Sequence, residues 1–121
     1  MKPHREHTGK QSEDPEHKLY QAIAAIKTPE EAERFFKDLC TPAEIEAMAD
    51  RWQVVPYIKA GRSYREIHEK TGVSITTIGR IARFIALGAG GYNVIYERIE
   101  KKSHESSHTI KNSNTKVRTS K

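Results

Sequence analysis

The sequence contains one cysteine and no long hydrophobic run, and both features narrow the class of protein. Cys40 has no second cysteine with which to form an intramolecular disulfide, which is typical of proteins of a reducing compartment. No apolar stretch approaches the ~18 residues needed to cross a bilayer. The polar N-terminus lacks the apolar core of a signal peptide. We therefore expect a cytoplasmic protein that has no association with a membrane.

Hydrophobic residues are also scarce for a chain of 121 residues, which has room for one domain. They make up 36% of the sequence, and the mean hydropathy is −0.77. Either polar tails lie outside the folded part, or a partner subunit completes the core. No segment alternates apolar and polar residues in the manner of a strand, so we expect an all-α fold.

The sequence has no arrangement typical of an enzyme. It shows no nucleophile with a base and an orienting group, and the glycine-rich segment 88–91 lacks the lysine and strand context of a phosphate-binding loop. Two histidine pairs, His4 with His7 and His104 with His108, have a spacing compatible with zinc, but no cysteine or carboxylate cluster accompanies them. We therefore predict no enzyme activity, no cofactor and no metal site.

Helix-start signals and apolar periodicity divide the chain into six amphipathic helices. Thr28, Thr41 and Ser63 each precede a glutamate by three residues, which is the pattern of a capping box, and Ser74 can cap the next helix. The expected helices cover about residues 19–26, 29–39, 42–60, 64–71, 75–87 and 92–99. Pro56 predicts a kink or an early end in the third helix. Residues 18–101 are the expected domain, between disordered tails at 1–17 and 102–121.

Positive charge is concentrated in two segments of a chain whose net charge is +5. Residues 51–85 contain seven Lys and Arg residues against two glutamates, and residues 101–121 contain six against one. A basic and regularly patterned segment such as 51–85 is expected of a phosphate-binding face. A solvated surface is the alternative for either segment, and the basic tail could also add DNA affinity.

Residues 64–83, YREIHEKTGVSITTIGRIAR, have the pattern of a helix-turn-helix. Gly72 stands where the turn requires a positive φ. Four apolar residues stand where the two helices would bury their shared face: Ile67, Val73, Ile78 and Ile81. His68 occupies a position that is usually small. An ordinary helical hairpin is the alternative, but the basic surplus on the same segment favours DNA binding.

The second helix of this motif would enter the major groove with its N-terminal end. Small residues there allow a close approach to base edges, and arginines flanking the surface could hold phosphates. The predicted DNA-binding residues are Arg65, His68, Ser74, Ile75, Thr76, Thr77, Gly79, Arg80 and Arg83.

These motifs resemble the Trp-repressor-like YerC/YecD family of the Trp repressor superfamily. The resemblance extends over about residues 18–98, two thirds of the chain. It rests on FFKDLCTP (35–42), MADRW (48–52), GRSYREI (61–67), TGVS (71–74), TIGR (77–80) and GAGGY (88–92). It implies an all-helical, intertwined homodimer that presents two recognition helices to a palindromic operator.

The resemblance also implies a candidate effector pocket. In Trp repressor the corepressor lies between two arginines, which Arg51 and Arg80 match, near a threonine matched by Thr41. Ile81 and Phe84 replace a glycine and a serine, and overpacking of this kind costs ~1–3 kcal/mol. We therefore expect that tryptophan does not bind, and that side chains fill the pocket or leave space for a smaller effector. For Arg51 we favour a structural ion pair.

The sequence as a whole predicts a homodimeric transcriptional regulator, most simply a repressor, whose partners are double-stranded DNA and a second copy of the chain. The alternative is a protein-docking module of a larger nucleoprotein complex, with little sequence-specific DNA binding. Steep salt dependence together with a preference for one DNA sequence would distinguish the regulator.

Overall fold

The computed structural model describes residues 14–104, and this part of the chain is helical throughout, with no strand. The helices are α1 (Pro15–Ala24), α2 (Pro29–Leu39), α3 (Pro42–Lys59), α4 (Tyr64–Thr71), α5 (Ile75–Leu87) and α6 (91–104). The predicted all-α fold of six helices is confirmed.

Side-chain caps fix the starts of α2, α3, α4 and α5. The hydroxyls of Thr28, Thr41, Ser63 and Ser74 each accept a hydrogen bond from the backbone N–H three residues later, at 3.1 Å. At α3 the box is reciprocal, because the Thr41 N–H donates to the carboxylate of Glu44 at 2.8 Å. The predicted helix starts at these four positions are therefore correct.

α1 differs from the sequence prediction at both ends, and α6 differs at its C-terminal end. α1 begins at Pro15, so residues 15–17 of the predicted tail are helical, and it ends at Ala24. α3 continues through Pro56 to Lys59, so of the two effects expected at Pro56, a kink or an early end, the early end does not occur, and the helix ends close to the expected residue 60. It stops where Gly61 adopts a positive φ of 79°. α6 includes residues 102–104 of the predicted C-terminal tail, and the rest of both predicted tails lies outside the described residues.

The described chain divides into two compact units, with the boundary after Ile45, within α3. The first unit holds α1, α2 and the start of α3. No side chain in residues 14–45 is fully buried. Within this unit, the rings of Phe35 and Phe36 form an edge-to-face pair whose centroids are 5.7 Å apart.

The second unit, residues 46–104, contains the hydrophobic core. Its six buried residues come from α3, α4, α5 and the turn between the last two: Val54, Val55, Ile67, Val73, Ile78 and Ile81. A network of polar contacts joins α3 to α6 and α6 to α5. Lys59 donates to the side-chain oxygen of Asn93, whose amide donates to the Ile85 carbonyl at 2.9 Å. Among the described helices, none is long and apolar enough to cross a membrane.

Candidate nucleic-acid interface

α4 and α5 form the predicted helix-turn-helix. Gly72 ends α4 in the left-handed conformation with φ 78°, and Ser74 caps α5 two residues later. The four residues predicted to form the shared face are all buried, with Ile67 and Ile78 at 0% exposure. Because that face is used for packing, the opposite face of α5 is available to a partner.

The backbone of Val73 is held on both sides by side chains of α4. Its N–H donates to the Thr71 hydroxyl at 3.1 Å, and its carbonyl lies 2.7 Å from Nδ1 of His68. A carbonyl only accepts hydrogen bonds, so Nδ1 carries the proton in this contact. His68 therefore positions the start of α5, a role that the sequence did not suggest.

The predicted DNA-binding residues of α5 do not all face the same way. Ser74, Ile75 and Thr76 are exposed at the N-terminal end of the helix. Arg83 lies two turns after Thr76 and is also exposed. Thr77 is half-buried, and its hydroxyl accepts a hydrogen bond from Ser74 at 3.0 Å. Thr77 thus belongs to the cap and to a neighbouring pocket.

The electrostatics of the motif favour an anion. α5 contains no acidic residue, and within residues 14–104 neither Arg80 nor Arg83 forms an ion pair. The Arg65 side chain is 88% exposed and its Nε lies 4.0 Å from the Glu69 carboxylate, a contact too exposed to hold it. Arg62 precedes α4 and pairs with Glu66, so it is the less available arginine.

Tyr64 is a residue of this surface that the sequence analysis did not select. It is the first residue of α4, and its Cε2 lies 3.7 Å from the point where a Cβ at Gly79 would stand. The ring therefore lies beside α5 at Gly79, one of the small residues expected to allow a close approach to base edges. The signal in the sequence that could have identified Tyr64 is an aromatic residue at a position of a short helix that does not belong to the buried apolar face.

A pocket of about 730 Å³ lies beside α5, wholly within the second unit. Arg51 and Arg80 both line it, as the resemblance implied. Its apolar wall includes Trp52 and Tyr92, whose rings stack at 6.2 Å, and Phe84. The side chains of residues 14–104 leave this space open, which agrees with the second of the two expected alternatives, room for a smaller effector.

Within residues 14–104 Arg51 forms no ion pair, so the structural ion pair that we favoured for it stays a prediction. Ile81 is 1% exposed and packs in the core, and it also lines the pocket together with Phe84. The exclusion of tryptophan by these two side chains stays a prediction. Thr41 belongs to the first unit, where it caps α3, and its assignment to the pocket stays a prediction.

No cluster of three or more metal-binding side chains occurs among residues 14–104. His104 is described at the end of α6, whereas His4, His7 and His108 lie outside the described residues. Cys40 is half-buried at the end of α2.

Comparisons with known proteins agree with this architecture. Residues 16–112 match the Trp repressor protein family. The uncharacterized protein YerC of Bacillus subtilis is 37% identical over 89 residues, which are 74% of this chain and 86% of YerC. The crystal structure of a TrpR-like protein from Eubacterium eligens matches with a TM-score of 0.65 and 40% identity, over 69% of this chain and 86% of that one. A Staphylococcus aureus structure matches with the same TM-score and 37% identity, over 69% and 83%.

Proposed function

Because the chain belongs to the Trp repressor family, we propose that it is a transcriptional regulator that binds a specific DNA sequence through α4 and α5. The observation that carries the proposal is the division of α5 into two faces. Ile78 and Ile81 pack in the core, while Thr76 and Arg83 are exposed on a helix without a carboxylate. A helix of this kind can enter the major groove without electrostatic repulsion.

Base recognition is assigned to the N-terminal end of α5. Ile75 is 45% exposed and Thr76 follows it, so a methyl group and a hydroxyl are available to base edges. Phosphate contacts are assigned to Arg65 on α4 and to Arg83 and Arg80 on α5, all of which are exposed residues. Arg65 lies one turn before His68, which we assign to the same phosphate-contacting surface.

The proposed active form is a homodimer on a palindromic operator, acting as a repressor by occupying the DNA. Large apolar side chains that are exposed in the first unit support an additional subunit, namely Tyr20, Ile23 and Leu39. Phe84, Leu87 and Ile99 are similarly exposed in the second unit. Apolar surface of this extent is typical of chains that bury it against another copy.

Selection from random duplexes, followed by salt titration, tests the DNA-binding proposal. We expect one enriched palindromic sequence, bound with an affinity that falls steeply with salt. Thr76→Ala should reduce the preference for that sequence by ~1–3 kcal/mol, whereas Arg65→Ala should weaken operator and scrambled DNA alike and reduce the salt slope by ~1. Arg98→Ala, an exposed arginine of α6, is the control for loss of one charge.

Weak binding without sequence preference would contradict this proposal and would favour the protein-docking module. If selection succeeds but Thr76→Ala and Arg65→Ala both bind like the unmodified chain, the recognition surface lies elsewhere.

We further propose that tryptophan is not the effector of this regulator. Phe84 lies in the pocket wall where Trp repressor has a small serine, although the space of about 730 Å³ is within the range of ligand pockets. Calorimetry with the full chain should detect no micromolar binding of tryptophan. Micromolar affinity would show that Phe84 does not obstruct the indole.

A further inference from the structure

Tyr64 places a phenol at the junction of α4 and α5. Its side chain is 43% exposed, and the ring atom nearest to Gly79 is Cε2, at 3.7 Å from the ideal Cβ position. Cε2 is bonded to the carbon that carries the hydroxyl. The polar end of the side chain is therefore the end that reaches α5.

The hydroxyl of Tyr64 has no partner within residues 14–104. Gly79 lies three residues after Thr76 and four before Arg83, and so shares their face of α5. An unpartnered donor thus stands beside the face assigned to base recognition, next to Arg65 in the chain.

We propose that Tyr64 contacts DNA. Its hydroxyl donates a hydrogen bond to an acceptor atom of the operator that lies beside Gly79 of α5. This inference depends on the proposed DNA-binding function. Duplex DNA offers two kinds of acceptor at this position: the base edges of the major groove and the phosphate oxygens. Gly79 contributes by leaving room for the phenol where another residue would place a larger side chain.

Tyr64→Phe tests the proposal because it removes the hydroxyl and keeps the ring. Binding of the full-length variant to the selected operator and to a scrambled duplex is measured by fluorescence anisotropy, with thermal unfolding as the check on folding. We expect the operator affinity to fall about tenfold, as for the loss of one hydrogen bond. Tyr57→Phe is the matched control, since the Tyr57 ring packs against the core, and it should bind the operator as the unmodified chain does.

Comparison of the operator with the scrambled duplex distinguishes the two kinds of acceptor, a base edge and a phosphate oxygen. A loss confined to the operator supports a base edge, and an equal loss on both duplexes supports a phosphate. Operators with a single methylphosphonate or 7-deazapurine then locate it. At the contacted group the modification should weaken the unmodified chain about tenfold and should not weaken Tyr64→Phe further.

Tyr64→Phe binding within twofold of the unmodified chain on both duplexes overturns the inference and leaves DNA binding intact. Failure of the unmodified chain to bind any duplex overturns the proposed function first, and the Tyr64 contact with it.

Discussion

The two compact units are equally helical, yet only the second has a buried core. In residues 14–45, α2 has a side-chain cap and α1 begins with a proline, but no side chain is fully buried. In residues 46–104, six apolar residues are buried. The difference shows that local signals are enough to start a helix, whereas burial depends on what the rest of the fold supplies.

The largest effect should follow from opening the core of the second unit. Ile78 is fully buried, so Ile78→Ala removes packed methyl groups and should lower the free energy of unfolding by ~2–5 kcal/mol. Ile23→Ala is the matched substitution in the first unit, where the side chain is 37% exposed, and should cost less than half as much. Urea unfolding of both variants measures this. Equal losses would indicate that a second subunit buries α1 as fully as the core buries Ile78.

The next effect concerns the subunit that we propose to cover the first unit. Ile23→Asp places a charge on the apolar face of α1 and should weaken the dimer more than about tenfold, because a buried unpaired charge is costly. Sedimentation at micromolar concentration should then shift toward the 13.8 kDa monomer. Gln21→Glu adds a charge at an exposed position of the same helix and should leave the mass unchanged. A monomeric unmodified chain would contradict the dimer itself.

Two glycines of the second unit should respond in opposite directions. A Cβ at Gly88 would lie 2.5 Å from the carbonyl oxygen of Phe84, so Gly88→Ala should destabilise the fold by ~1–3 kcal/mol. A Cβ at Gly79 meets only an ordinary contact with Tyr64, so Gly79→Ala should stabilise α5 by ~0.5–1 kcal/mol. Thermal unfolding distinguishes the two. We also expect Gly79→Ala to weaken operator binding, and retained affinity would show that the helix does not approach DNA closely there.

The smallest effect belongs to the exposed ion pair of α2. The hydrogen bond and the charge of Lys37, at 2.8 Å, lower the pKa of Glu33, and the hydrogen bond and the charge of Glu33 raise the pKa of Lys37. Because the pKa of Glu33 is lower in the folded chain, the ionised carboxylate stabilises the fold at pH values above the ordinary glutamate pKa. This stabilisation is lost as the pH falls through the lowered pKa. Because the pKa of Lys37 is higher in the folded chain, the charged ammonium stabilises the fold at pH values below the ordinary lysine pKa. This stabilisation is lost as the pH rises through the raised pKa.

The contribution of this pair to stability should therefore not change with pH around neutrality, and it should be small because both side chains are largely exposed. Lys37→Met should change the melting temperature by less than about 1 °C at pH 7. A larger change, or one that persists at high salt, would mean that the ion pair of Glu33 and Lys37 is less exposed to solvent than the structure shows.

The sequence predicted those parts of the fold that depend on neighbouring residues. The caps of α2 to α5 and the turn at Gly72 follow from side chains within three or four positions of the bonds they make. The start of α1 was missed because its N-cap, Asp14, makes no side-chain cap bond and its first turn is polar. The contact of Tyr64 with Gly79 and the bond from His68 to Val73 depend on how α4 and α5 meet, which periodicity does not contain.

The attachment of Val73 to α4 has a consequence for local unfolding. The first turn of a helix ordinarily frays, and its amide protons exchange rapidly with solvent. Here the residue before the cap of α5 is buried, and both its N–H and its carbonyl are bonded to side chains of α4. Exchange of the Val73 amide then requires the turn to detach from α4, so it should report the opening of the two helices together. The N-terminal end of α5 would then unfold cooperatively with the core of the second unit.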